Sequence, residues 1–357
     1  MSGFRKFKSI ILGQSPDTDA NRPAFDAANI PLATADCRSC ADPCDKGACL
    51  LVLRHDEYPK RFDVDRESQM LGSVKPFRRQ IVISTGKTDW EREVTDAEGT
   101  LAAYVYHVKE SSPSAKRRKA GGTNIPGVYD VSEGSNVLVL NGSHKTVSDD
   151  ENLETVLILP DYKVATDIPR SLGGAKALWK AALDPSVGRA GAPLTQGKTW
   201  ILPYNCVILL CSHKRRDNRC AISAPKLEHT FTQALEREGW EAHTQLEDPS
   251  LGGPPLDDLQ GSEEEKEAQI VQRLKELGDA HTKRALILKN SHIGGHKFAG
   301  NCIIYTPQGS SVWYGRVTPH EVDSIVKNTI IGGQILLPLL RGGLNLARPG
   351  RHSLNDW

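Results

Sequence analysis

The chain has 357 residues, enough for two or three domains and a substantial buried core. Lys and Arg number 45 against 44 Asp and Glu, so no global charge argues for nucleic acid or an acidic partner. No apolar run approaches the roughly 20 residues of a membrane span, so a membrane role is not expected.

The N-terminal stretch MSGFRKFKSIILGQ places Arg5, Lys6 and Lys8 ahead of a short apolar run. The run is too brief for a secretory signal, and no small-residue cleavage site follows it cleanly. A mitochondrial presequence is the alternative, since Asp17 is the first acidic residue. The reading adopted is a cytoplasmic protein, with the nucleus left open. Residues 1–30 carry Pro and Asp without periodicity and read as a flexible N-terminus.

Residues 31–182 read as an N-terminal α/β domain. Its apolar runs have strand character: CLLVLRH from Cys49, RQIVISTG ending at Gly86, SNVLVLNG ending at Gly142 and ETVLILPD ending at Asp161. The basic stretch SAKRRKAGG from Ser114 reads as a solvated loop. Residues 183–198, rich in Gly, Pro and Ala, read as a linker.

Residues 199–341 form the second predicted domain. NCVILLC is a strand leading straight into CSHKRRDNRC. APKLEHTFTQALEREGW is a helix expected to start near Pro225 and to stop at Gly239. SEEEKEAQIVQRLKELGD is a second, acid-capped helix. RALILKNSH is a strand that delivers HIGGH, and CIIYTP and SSVWYGRV flank a turn at Gln308-Gly309. TPHEVDSIVKNTII starts a last helix, with Thr318 as N-cap, Pro319 at N1 and Glu321 at N3. This order is α/β and thioredoxin-like in layout. Residues 342–357 form a C-terminal tail. SNVLVLNGSHK and RALILKNSHIG echo each other, which suggests that the N-terminal domain is a degenerate copy of the same fold.

The chain has eight cysteines, and without a signal peptide a disulfide framework is not expected. Cys211 and Cys220 lie in the loop after one strand, and His292 and His296 in the loop after another. If the strands are neighbours, the four donors converge. A disulfide would explain neither histidine. Incidental loop groups and a Cys2His2 zinc site also stand as readings, although the eight residues between the cysteines are many for zinc. A 2Fe-2S cluster needs ligands further apart and suits both the long loop and the Gly-Gly between the imidazoles. Lys214, Arg215, Arg216 and Arg219 would favour its reduced state, or simply form a solvated turn.

CSHKRRDNRCAISAP followed by HIGGHKFAGNCIIYTPQGSSVWYGRVTPHEVDSIV resembles the sucrase/ferredoxin-like family, thioredoxin-like ferredoxins with bis-histidinyl ligation. Where ordinary thioredoxin-like ferredoxins carry C-x3-C, that family carries H-x3-H, matched here by His292 and His296. The resemblance implies a 2Fe-2S centre ligated by Cys211, Cys220, His292 and His296. It also implies recognition of the terminal Asp356 and Trp357 by the cytosolic iron–sulfur assembly targeting complex. Asn355 stands where an aliphatic residue is usual.

Cys37, Cys40, Cys44 and Cys49 form a dense thiol group that could bind a second metal or act in redox chemistry, or stay unligated. Cys206 and Cys302 sit among apolar strand residues and read as core. The expected function is electron transfer, proton-coupled through the imidazoles and tied to redox homeostasis, with a flavoprotein or other reductase as donor. A non-enzymatic carrier is expected. A zinc-stabilised interaction module and a thioredoxin-type thiol oxidoreductase are the alternatives.

Overall fold

A computed structural model describes residues 17–33, 58–60, 62–112 and 123–357. Cys37, Cys40, Cys44 and Cys49, the apolar run that begins at Cys49, and the basic stretch from Ser114 lie outside the described residues.

A helix comes first, α1 (Asp17–Ala27). The strand β1 (Arg79–Ser84) is RQIVIS, buried along its whole length. Strands covered on both faces read as continuous apolar runs, which is why it was legible. The helix α2 (Leu101–Ser111) follows, its first turn capped by the Thr100 side chain accepting from the Ala103 N–H. After the short β2 (Val128–Tyr129) comes β3 (Val137–Gly142), parallel to β1. Next, β4 (Leu153–Leu159) runs antiparallel to β1, and β5 (Lys163–Pro169) antiparallel to β4. The helix α3 (Leu172–Leu178) closes the unit and ends in a wide π-type turn, Trp179–Leu183. The edge strand β6 (Lys198–Ile201) pairs with β5.

The C-terminal half repeats this plan. A strand, β7 (Cys206–Cys211), leads to the long helix α4 (Asn218–Arg237). After the short β8 (Glu241–His243) and the helix α5 (Glu263–Asp279), β9 (Arg284–Asn290) returns parallel to β7. The hairpin β10 (Cys302–Tyr305) and β11 (Ser311–Tyr314) continues antiparallel beside β7. The helix α6 (Pro319–Ser324) closes this unit and also ends in a π-type turn, Ile325–Ile331. A last strand, β12 (Leu340–Leu344), pairs with β11. Each half is therefore a βαβ unit, an antiparallel extension and a closing helix, the thioredoxin-like layout. The α/β class and the degenerate copy both appear in the topology.

Among the described residues, the halves join in one twelve-stranded sheet, through a contact between β3 and β9 at Gly142 and Asn290. The joint has near two-fold symmetry. The Asn141 N–H donates to Ser291 Oγ (3.0 Å), and the Lys289 N–H to Ser143 Oγ (3.1 Å). The Ser143 N–H meets the Lys289 carbonyl (2.8 Å), and the Ser291 N–H the Asn141 carbonyl (2.9 Å). Register makes Ser84, opposite Gly142, the counterpart of Cys211, opposite Asn290. The two echoing segments likewise pair His144 with His292.

Side chains alternate across the sheet. Cys206, Ile208 and Leu210 pack on one core, with Leu227, Phe231 and Ala234 of α4. Val207, Leu209 and Cys211 pack on the other, with Ile270 and Leu274 of α5. Cys206 and Cys302 are core thiols, and burial pushes Cys302 up to about 12.

Several features differ from the sequence reading: β6, expected at the start of a second domain from residue 199, pairs with β5 of the N-terminal half, and β12 runs past the tail boundary expected at 342. Residues 17–33 are not a loose leader: Phe25 and Ile30 are buried in the core, and Leu32 bridges to Ile335. Their pattern is too short to reveal this. The helix expected to begin near Pro225 begins at Asn218, with Pro225 inside it. Pro225 cannot donate to the Ala221 carbonyl. The buried face made by Cys220, Ser223, Ala224 and Leu227 outweighs that loss. Cys220 accordingly lies in the first turn of a helix, and Cys211 closes a strand; neither is a loop residue.

Candidate functional site

The β7–β9 ladder positions the site. Cys211 is opposite Asn290 in the parallel register, so the segments following both strands leave the same sheet edge. The Ser212 N–H donates to the Asn290 carbonyl (3.0 Å), and the Cys211 N–H to the Asn301 carbonyl (3.1 Å).

Asp217 folds the first segment back. Its carboxylate caps α4 by accepting from the Arg219 N–H (2.9 Å), and its carbonyl accepts from the Cys220 N–H (3.1 Å). This turn sets Cys220 Sγ 3.4 Å from Cys211 Sγ. The thiols are unbridged, and each is 1 % exposed. Contact with Cys220 holds Cys211 well below the ordinary thiol value; burial opposes this, while His292 and the Ile293 N–H help it. Cys220 is pushed up by the same contact and by burial.

The second segment is shaped by Gly294 (φ 78°) and Gly295 (φ 67°), left-handed positions that favour glycine. They bring the imidazoles of His292 and His296 to 5.3 Å between centroids, tilted 46°. Nδ1 of each ring is buried without a hydrogen-bond partner. Buried polar atoms are normally satisfied, so both nitrogens keep unused bonding capacity. Burial, then neighbouring His292, holds His296 below the ordinary imidazole value. Among the described residues no three His, Cys, Asp or Glu side chains gather as closely as one ion would need. The four predicted residues thus stand as two adjacent pairs.

The basic run between the cysteines is not simply solvated. Arg215 pairs with Glu91, Arg216 with Glu93, and Arg219 Nη2 with Asp217 Oδ2 (2.7 Å). Ser212 Oγ donates to the Thr88 carbonyl (3.0 Å), and His213 Nε2 bonds the Trp90 carbonyl (2.9 Å). Residues 88–93 therefore strap the cysteine segment to the N-terminal half. Acidic DWERE facing basic HKRR was a signal in the sequence that the reading did not use.

A residue missed entirely is Arg341 of β12, whose side chain reaches the imidazole segment. The Nη1 atom donates to the Gly294 carbonyl (3.2 Å) and to Asn301 Oδ1 (2.9 Å). The available signal was a lone charge inside the apolar run LLPLLRGGLNL.

The last residues are held rather than loose. Arg348 Nη2 donates to the carbonyls of Leu354 (2.8 Å) and Asp356 (2.7 Å), and the Asp356 carboxylate accepts from the His352 N–H (2.7 Å). Trp357 is half-buried, its ring 6.0 Å from Lys275 Nζ. Its side chain thus has a packing partner, which the sequence reading did not foresee.

Two unlike pairs of side chains, Cys211 with Cys220 and His292 with His296, thus stand at the carboxyl edge of a thioredoxin-like half. The chain belongs to the sucrase/ferredoxin-like family, whose model matches residues 70–342. It is similar to actin patches distal protein 1 of Saccharomyces cerevisiae, 23 % identical over 314 residues, covering 88 % of this chain and 84 % of that one. It also resembles altered inheritance of mitochondria protein 32 of Meyerozyma guilliermondii, 31 % identical over 139 residues. That match covers 39 % of this chain and 35 % of the relative, so it spans about a third of that protein's length. Among solved structures, a variant of the thioredoxin-like 2Fe-2S ferredoxin from Aquifex aeolicus matches at 17 % identity and a TM-score of 0.20. It covers 38 % of this chain and 94 % of that one. Among the described residues no helix is long and apolar enough to cross a membrane.

Proposed function

We propose that this protein is an electron carrier holding a 2Fe-2S cluster on Cys211, Cys220, His292 and His296. The observation that carries the reading is the pairing of the donors. The thiols lie 3.4 Å apart, and beside them are two imidazoles with buried, unpartnered Nδ1 atoms. The residues fit the group: a two-iron centre takes two ligands per iron, and each pair offers two. When bound, the cluster would supply one-electron chemistry.

The chain's own residues prepare the site. Asp217 orients the helix turn that carries Cys220. Gly294 and Gly295 let the backbone approach closely, and the Ile293 N–H bears on the Cys211 sulfur. The strap at 88–93 covers the cysteine segment, so solvent reaches the sulfurs little. A flavoprotein or another reductase is the proposed donor class, in the cytoplasm.

Thiol–disulfide exchange is favoured by one observation, the lowered pKa of Cys211. Both sulfurs are buried, however, and an exchanging thiol needs access to its partner. Anaerobic purification followed by iron, sulfide and zinc analysis with a visible spectrum tests the proposal. Two irons and two sulfides per chain and a red-brown colour are expected. A colourless protein with stoichiometric zinc overturns it.

A further inference from the structure

Arg341 is among the largest fully buried side chains, 1 % exposed. Its Nε donates to Ser73 Oγ (3.1 Å), and its Nη1 to the Gly294 carbonyl and Asn301 Oδ1. The guanidinium carbon lies 5.7 Å from the Phe298 ring centroid and 5.9 Å from that of Trp313. Among the described residues no carboxylate pairs with it. A buried cation without a counter-charge is costly, and such groups are normally paired.

The other cations near the site are different. Arg215, Arg216 and Arg219 are each ion-paired and at least partly solvated. Their charge is cancelled locally and screened. Around Arg341, burial lowers the pKa to about 10, and the charges that oppose this are those of Cys211 first, then Cys220 and Cys302. The guanidinium remains protonated at neutral pH. Its hydrogen bond to the Gly294 carbonyl sets this uncompensated charge in the segment that carries His292 and His296.

We propose, on the cluster reading above, that Arg341 is the buried counter-cation of the centre. It positions the imidazole segment through Gly294 and favours the reduced form. With two thiolates and two neutral imidazoles as ligands, the diferric state is formally neutral, and one electron from the reductase leaves a single negative charge. Arg341 opposes that charge from inside the protein, where screening is weak. It touches neither electron donor nor acceptor and is a positioning residue.

The test compares wild type, Arg341→Met and Arg341→Lys by iron and sulfide content and by redox titration followed in the visible. At the wild-type midpoint, Arg341→Met is expected to cut the ratio of reduced to oxidised protein about tenfold, or about 59 mV for one electron. Arg341→Lys, which keeps the charge but not the fork, recovers most of that ratio. A wild-type ratio in Arg341→Met overturns the proposal, as does an equal loss in Met and Lys variants with full cluster content. Should Arg341→Met fail to fold or to retain iron, Asn301→Asp decides: it sets a carboxylate against the guanidinium. The same fall in the ratio is expected there, and no change overturns the proposal. Wild-type protein without iron and sulfide defeats the cluster reading itself, an outcome distinct from these.

Discussion

Cys211 stands opposite Asn290 in the parallel β7–β9 ladder, two positions before His292. Sheet register thus makes a thiol and an imidazole from distant segments neighbours. Replacing His292 by Ala should lower iron and sulfide content by roughly 10–100-fold, the loss that even groups behind a metal ligand cause. His292→Cys should keep a cluster at a lower potential, because an added thiolate makes the centre more negative. Unchanged iron content and potential in both variants would remove His292 from the site.

Gly295→Ala should destabilise the fold by about 2–4 kcal/mol, combining a left-handed backbone with overpacking. A methyl there would sit 2.5 Å from Arg341 Cζ. Urea unfolding of the cluster-free protein reads the loss, and an unchanged midpoint would mean the segment relaxes freely.

Trp90 is 6 % exposed, donates to Thr85 Oγ1 (2.9 Å) and stacks edge-on against His213 at 5.8 Å. Trp90→Ala should cost about 3–5 kcal/mol, as large-to-small core changes do. It should also speed cluster loss in air by loosening the strap. The decay of visible absorbance checks this; a wild-type rate would show that the strap does not protect the sulfurs.

The strands were legible because both faces of the sheet are covered, leaving apolar runs such as the centre of RQIVIS and nearly all of CVILLC. The capping box of Thr318 with Glu321, and the acidic first turn of the helix Glu263–Asp279, marked helix starts by local chemistry alone. The Cys and His spacing pointed to four donors, and the structure brings them together as two pairs. What stayed hidden depends on tertiary packing. Pro225 suggests a helix start locally, yet the buried face of Cys220 and Ala224 extends the helix upstream. Arg341 joins the site from a strand that enters the sheet beyond β11, a distance no local pattern reports.

Away from the site, Asp161 accepts from Arg79 Nε (2.7 Å) and Arg78 Nη1 (3.1 Å) in the N-terminal half. Burial would raise its carboxyl, but Arg79, Arg78 and Lys163 together hold it below the ordinary range. Its contribution is therefore complete above the unfolded value of about 3.9 and is lost as pH falls through the lower folded value. Asp161→Asn should cost about 3–5 kcal/mol at neutral pH, the usual result of breaking a buried pair. It should also flatten the acid limb of the urea midpoint below about pH 4. A variant with the wild-type acid limb would show that Asp161 does not govern acid unfolding.

The serine bonds exchanged beside β3 and β9 tie the two halves into one continuous sheet. A substitution that shifts Asn141 in the N-terminal half would act directly on Ser291, the residue before His292. The N-terminal half thereby buttresses the strand end from which the imidazole segment departs.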